Sequence, residues 1–432
     1  MWCRGGVRLE RFPSTEEESM KNDHVVSRRG FIGGGLAASA LATLAACGKR
    51  DGSTGQGKKG GTLKYYINNP VAIDPYNTQE DQGTQVEHIL FDALTDYDWD
   101  KEKVVGKAAE SWEANGDNTV FTFYLMKGDK FHNGDSVDAA SFKRGWERIV
   151  NPKMATPSEI NYHLSPVKGY DEFLAGSATE LTGLRAVDES TFEVTLKSPM
   201  ADFPTVCSHP ALAPVPQAAL DDPDSFLVAP IGNGPFKMDG KWVADQYINV
   251  KRFDGYYGEK ALLDGVNFSI QKDPDTAYRE FEAGNMDFAQ IPTGRLEEVK
   301  AAKGVSDDGY TVTPSKQVLT GAETSVYYLV VNLEDETMKK PPVRQAISLA
   351  IDRQKICDTL FEGSRQPADN FFPEVLDKGQ DNAWEYCKYD VDAAQKIVDE
   401  NNLSGTQITL SYNSGGGHED IMSIVQENLE AV

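Results

Sequence analysis

The segments Ala109–Glu113, AESWE, and Thr122–Asp135, TFYLMKGDKFHNGD, are the most informative part of this chain for its fold. Between Val120 and Met126 apolar and polar residues alternate, and the apolar ones share one face: Phe121, Phe123 and Leu125. Alternation with period two predicts a strand with one face in a core. Glycines at positions 128 and 134 mark the turns that follow this strand.

Similar patterns continue in both directions along the chain. Further strands are predicted over Thr62–Ile67, Thr191–Leu196, Tyr247–Phe253, Val266–Gln271 and Ile408–Tyr412. The continuous apolar run Ser325–Asn332 is typical of a strand covered on both faces. Helical spacing predicts helices over Gln85–Leu94, over Ala139–Ile149, after a cap at Asp275, from Pro342 onward, and after a cap at Asp352. Alternating strands and helices without internal repeats predict mixed α/β layers.

The beginning of the chain predicts export. Arg28 and Arg29 precede a short Gly- and Ala-rich apolar stretch that ends at Cys47. We interpret residues 1–46 as a twin-arginine lipoprotein signal, Cys47 as the lipid-modified N-terminus and residues 47–60 as a Gly-rich linker. A buried helix that happens to follow two arginines is the alternative. Residues 1–19 fit no signal layout, so Met20 is an alternative start.

The charge of the chain limits its partners. The 432 residues carry a formal net charge of −24. Such a charge argues against nucleic acid and against a basic membrane-binding face. The predicted signal and the charge together favour an extracytoplasmic protein that the lipid alone holds at the membrane. A chain of this length is expected to form two or three domains.

Cysteines are sparse downstream of the predicted lipid site. Either Cys357 pairs with Cys387 and leaves Cys207 free, or all three are free thiols; export permits both alternatives. The absence of C-x-x-C argues against a zinc ribbon or a thioredoxin-like site.

Motifs for catalysis, metals and cofactors fail on inspection. Gly55-x-Gly57-x-x-Gly60 matches a dinucleotide fingerprint, but a linker surrounds it. The aspartates at positions 96, 98 and 100 resemble a calcium loop, yet lysines occupy the required Gly and Glu positions. The sequence holds neither H-E-x-x-H nor G-x-S-x-G. We expect no catalytic residue, no metal and no cofactor, and hence no enzyme.

Taken with Gly232–Phe236 and Val343–Ile347, the opening segments resemble the family 5 extracellular solute-binding proteins. These are the oligopeptide- and dipeptide-binding components of ABC importers. The resemblance implies an α/β, periplasmic-binding-protein-like (type II) fold with two lobes. It places lobe I at residues 61–91 and 230–323, an extra domain of lobe I at residues 92–229, and lobe II at residues 324–432. Implied with it are capture of oligopeptides by lobe closure, a monomeric state and ABC permease subunits as partners.

The resemblance also implies ligand-binding residues. A lip of lobe I would lie at Gln79, Glu80 and Asp81, and a crossing strand would begin at Ser325, Val326, Tyr327 and Tyr328. Asn413 and His418 would flank a glycine loop, with the imidazole near the ligand's carboxylate, and Tyr162 would be a pocket wall. The alternatives are a solvated acidic loop, a core strand, an exposed loop histidine and ordinary packing of the tyrosine.

Members of the family continue beyond the position that matches Val432. The aspartate that binds a peptide's α-amine lies in that stretch of the peptide-binding members, so we expect a truncated second lobe here. Other functions remain open: the same fold binding a sugar, heme or metal complex, an exported hydrolase, or a surface adhesin.

Overall fold

The computed structural model describes residues 7–12, 59–373, 375, 384–413 and 418–432. The predicted signal at Arg28 and Arg29, the lipid site Cys47 and the linker up to residue 58 lie outside the described residues.

Twelve strands are found in the described part of the chain. They are β1 Val7–Phe12, β2 Thr62–Ile67, β3 Thr95–Asp98, β4 Lys103–Gly106, β5 Ala109–Ala114, β6 Val120–Leu125, β7 Leu184–Asp188, β8 Thr191–Thr195, β9 Phe236–Met238, β10 Tyr247–Arg252, β11 Gly265–Ile270 and β12 Ile408–Asn413.

Twelve α-helices are found in the same part. They are α1 Asp81–Leu90, α2 Ala139–Val150, α3 Tyr170–Leu174, α4 Phe203–Val206, α5 Ala218–Asp221, α6 Pro223–Val228, α7 Pro274–Glu282, α8 Leu296–Lys303, α9 Pro341–Ala350, α10 Arg353–Phe361, α11 Val391–Glu400 and α12 His418–Glu430. Short 3₁₀ turns cover Asn161–Leu164 and Pro210–Leu212.

The chain divides into two compact units. Among the described residues, unit 1 comprises those within 7–12, 273–278 and 290–432, and unit 2 comprises those within 59–272 and 279–289. The lobe boundaries that the resemblance implies remain a prediction.

Unit 2 contains two four-stranded sheets and a hairpin. One sheet has the order β2-β11-β10-β9, with β2 and β11 parallel, and its core includes Val86 and Leu90 of α1. The other has the order β5-β6-β8-β7, and α2 packs on it through Trp146, whose ring meets Phe192 edge-on at 5.3 Å between centroids. The β3–β4 hairpin carries the aspartates that resembled a calcium loop, with Asp98 paired to Lys101.

Unit 1 is the smaller of the two, and helices outnumber strands in its described part. Its core forms between α9, α11, β12 and α12, around Leu349, Ala394, Leu410 and Val425. The strand β12 pairs in parallel with β1, in the register Val7 to Ile408. The strand that adjoins β12 therefore comes from within residues 1–46, the segment predicted to be the signal.

Several of the predicted elements are confirmed. Thr62–Ile67 is β2, and in β6 the side chains of Phe121, Phe123 and Leu125 are buried. Asp352 caps α10 by accepting from the Lys355 N–H at 2.9 Å.

Two helix starts were predicted wrongly. The helix expected over Gln85–Leu94 begins at Asp81, because Glu80 caps it by accepting from the Gly83 N–H, and it ends at Leu90. The cap expected at Asp275 lies at Asp273, whose carboxylate accepts from the Thr276 N–H at 2.7 Å.

The strand expected over Ser325–Asn332 is also wrong. In the described part of unit 1 no strand ladder includes these residues, and Val330 is 63% exposed. An apolar run forms a buried strand only where neighbouring strands satisfy its N–H and C=O groups.

The cysteines follow the second of the two alternatives. Cys207 and Cys357 are buried free thiols and Cys387 is a half-buried one. The pairing of Cys357 with Cys387 is therefore not present; the first lies on α10 and the second lies in a turn before α11.

A buried ion pair fixes the loop between β2 and α1. Asp74 accepts from both terminal nitrogens of Arg148 on α2, at 2.5 and 2.7 Å, and both side chains are buried. The rings of Tyr76 and Phe226 lie 4.7 and 5.3 Å from the guanidinium carbon. Removing one partner of such a pair leaves an uncompensated charge in a low-dielectric interior.

We predict that Arg148→Met lowers the free energy of unfolding by about 3–5 kcal/mol, because Asp74 then stays buried without its counter-ion. Arg185→Met is the matched control, since Arg185 makes a two-point contact with Glu193 on the surface and should cost little. Urea unfolding followed by tryptophan fluorescence measures both variants. Equal losses in the two variants would contradict the prediction.

Candidate functional site

The predicted lip begins with a carboxyl group that is already engaged. Glu80 accepts from the Val71 N–H at 2.7 Å and the Gly83 N–H at 2.8 Å, so it joins the preceding loop to the first turn of α1. Burial raises its pKa to about 7, against the opposing effect of these hydrogen bonds. Gln79 and Asp81 are half-buried beside it, and Asp81 accepts from Gln85. Contact of these three residues with a ligand remains a prediction.

Tyr162 is the outer member of a column of rings in unit 2. It is 48% exposed and lies 4.4 Å from the ring of His163, which lies 4.6 Å from that of His209. Burial is the main cause that lowers the pKa of His209 to about 3, and repulsion from two other histidines is the second. The inner part of the column is therefore neutral and packed, while the Tyr162 ring remains accessible.

In unit 1 the structure brings together two of the predicted residues. The Tyr327 hydroxyl lies 2.9 Å from His418 Nδ1, and the two rings stack with centroids 5.6 Å apart. Tyr327 also packs against the unit 1 core. The sequence separates these residues by 91 positions, and α12 places the histidine at its first turn.

The neighbours of Tyr327 extend this cluster. Val326 is half-buried, and the Ser325 hydroxyl donates to Glu323 at 2.9 Å. Tyr328 is 43% exposed and meets Phe371 edge-on at 5.7 Å. Asn413 is the last residue of β12, and the described chain resumes five positions later at His418, the first residue of α12.

Sequence reasoning missed Arg365. Its guanidinium carbon lies 3.8 Å from the centre of the Phe361 ring, and among the described residues it has no ion pair within 4 Å. Burial raises the pKa of Tyr327, and the charge of Arg365 partly opposes that shift. Burial lowers the pKa of His418, and the charge of Arg365 lowers it further. No periodic pattern marks Arg365, because it lies in irregular chain just after α10.

Together these groups form a cluster that favours a carboxylate. Burial, followed by the charge of Arg365, lowers the pKa of His418, so its imidazole is largely neutral at pH 7 and can donate one N–H. The guanidinium supplies a positive charge and paired donors. We name Tyr327, Arg365 and His418 the carboxylate cluster.

The described residues contain no group of three His, Cys, Asp or Glu side chains placed to hold a metal ion. Within the same residues, no helix combines the length and the apolar character that crossing a membrane requires.

Residues 103–432 match the family model described as "Bacterial extracellular solute-binding proteins, family 5 Middle". The chain belongs to this family. The family 5 chain is 26% identical over 399 residues to the dipeptide-binding protein DppE of Bacillus subtilis, covering 88% of this chain and 70% of DppE. It is likewise 26% identical over 405 residues to the oligopeptide-binding protein OppA of the same organism, covering 89% and 72%.

Solved structures share the fold. The murein tripeptide-binding protein MppA of Escherichia coli superposes with a TM-score of 0.75 at 23% identity, covering 87% of this chain and 74% of that one. The fold of this family 5 chain is accordingly the α/β fold of the solute-binding proteins.

We predict that His418 titrates below its ordinary pKa of about 6.5 and that Arg365→Gln raises this pKa, because the repelling charge is removed. Imidazole proton shifts recorded by NMR between pH 4 and 8 measure the change. Lys396→Gln is the control, since that lysine is exposed on α11 and pairs only with Glu400 among the described residues. A pKa that moves as little in Arg365→Gln as in the control would contradict the coupling.

Proposed function

We propose that this family 5 protein captures oligopeptides outside the cytoplasm and delivers them to the permease subunits of an ABC importer. The observation that carries the proposal is the match to a solute-binding family whose relatives are named for peptides. The protein acts as a monomer, a lipid on Cys47 holds it at the membrane, and closure of two lobes retains the peptide. No bond of the peptide is made or broken.

The chemistry of capture begins with the main chain. Residues 325–331 are irregular and outside any strand ladder of the described chain, so their backbone groups are available to an extended peptide. Pairing through backbone hydrogen bonds gives affinity that does not depend on the peptide's side chains. Leu329 and Val330 are exposed within this segment. They supply apolar contact area that likewise does not depend on one particular peptide side chain.

The carboxylate cluster recognises one end of the peptide. In a protein of net charge −24, a free carboxylate meets a repulsive field over most of the surface. A guanidinium without an ion pair, beside a neutral imidazole, offsets that repulsion locally. Peptide side chains lie in hydrated space, where bridging waters replace specific partners.

We predict saturable heat in calorimetry when short peptide mixtures are titrated into the protein. Replacing the free C-terminal carboxylate by an amide, or Arg365 by glutamine, should each weaken binding about ten-fold or more, since hydrogen bonds to charged groups contribute about 1.5–3 kcal/mol. The Lys396→Gln control should bind as the parent does.

Three outcomes would overturn the proposal. They are saturable heat with an unrelated oligosaccharide, heme or metal complex but none with peptides, appearance of cleaved peptide at high protein concentration, and attachment to cell surfaces without affinity for any small ligand. Equal affinity for free and amidated peptides would reject the role of the carboxylate cluster alone.

A further inference from the structure

A cavity of about 250 Å³ lies in unit 2, and none of the predicted site residues lines it. One wall is α2, which presents Arg144, Glu147 and Arg148; Lys153 follows that helix in the chain. The remaining wall contains apolar groups, chiefly Phe173 and Leu220. The volume is that of roughly eight water molecules at about 30 Å³ each, enough for a ligand of small aromatic size.

The charges around this cavity are unbalanced. Glu147 is engaged elsewhere: its Oε1 accepts from the Leu181 N–H at 3.0 Å and lies 3.6 Å from Lys143. Arg144 donates one N–H to the Val215 carbonyl at 2.7 Å. Among the described residues, neither Arg144 nor Lys153 has an ion pair within 4 Å. Two cations thus line the cavity without counter-ions, in a chain of net charge −24.

Arg148 adds a buried donor that lacks an acceptor. Its two terminal nitrogens hold Asp74, while its Nε–H has no partner in the described part of the chain. The side chain is only 1% exposed. A buried donor without a partner costs free energy, so such groups are nearly always satisfied. Arg148 is one of the residues that line the cavity, but its Nε has less than 1 Å² of accessible surface, so a bound ligand does not reach this donor.

We propose that this cavity binds a small organic carboxylate with an apolar body. The carboxylate lies between Arg144 and Lys153, and the body packs against Phe173 and Leu220. A site with a few convergent polar groups on one side and apolar side chains on the other is typical of small-molecule pockets. The site is separate from the carboxylate cluster of unit 1, and the inference does not depend on the proposed function.

The probe for this site is 4-fluorobenzoate, observed by ¹⁹F NMR line broadening and shift. We expect saturable binding in the millimolar range, about ten-fold weaker in Arg144→Gln and in Lys153→Gln, and unchanged in Lys127→Gln, an exposed lysine elsewhere in unit 2. 4-Fluorobenzyl alcohol, which has the same body without the charge, should not saturate. Excess peptide should leave the probe bound.

Several results would overturn the inference. One is the absence of saturation up to about 20 mM probe, and another is equal binding by Lys153→Gln and Lys127→Gln, which both lie on exposed positions and should fold normally. Displacement of the probe by peptide would place it in the peptide site instead. Competition by inorganic phosphate as strong as that by unlabelled benzoate would reject the apolar half of the site.

Discussion

The buried pair of Asp74 and Arg148 is the constraint on which unit 2 depends. Both terminal nitrogens of the guanidinium donate to the carboxylate, and two aromatic rings lie close to it. These contacts fix the position of the guanidinium. That position ties the loop after β2 to α2, across 74 residues of sequence. The same loop is held at its other end by Glu80, so the predicted lip is built on a segment with both ends fixed. The Nε–H of Arg148 has no acceptor in the described chain, and Arg148 is one of the residues that line the cavity of unit 2.

Unit 1 follows a different principle. Its helices pack around β12 and place His418 against Tyr327, while Arg365 acts on both through its charge. A strongly acidic protein that binds carboxylates needs such local cations, because its overall field repels the ligand. Each of the two proposed carboxylate sites contains such a cation, an arginine that has no ion pair within the described chain.

The sequence alone predicts a strand correctly where buried and exposed residues alternate regularly. The strands β6 and β8 follow from alternation, because each has one face in a core. The start of α1 was missed, since glutamate is not among the usual capping residues and Gly83 in the first turn is unfavourable for a helix. The strand predicted over Ser325–Asn332 is wrong for a different reason. Apolar composition indicates that a segment tends to be buried, but it does not identify a neighbouring strand that would pair with it.

The candidate site was partly predictable, and only through resemblance. Tyr327 and His418 were named from the family's arrangement, and the structure joins them by a hydrogen bond. Arg365 carries no periodic or capping signal, and the partners of Arg148 lie far away in the sequence, so neither role was visible.

Mass spectrometry of the protein isolated from the membranes of its own cells tests the central claim most directly. The account predicts a chain that starts at a lipid-bearing Cys47 and releases short, uncleaved peptides on denaturation. Release of a sugar, heme or metal complex in place of peptides would contradict it.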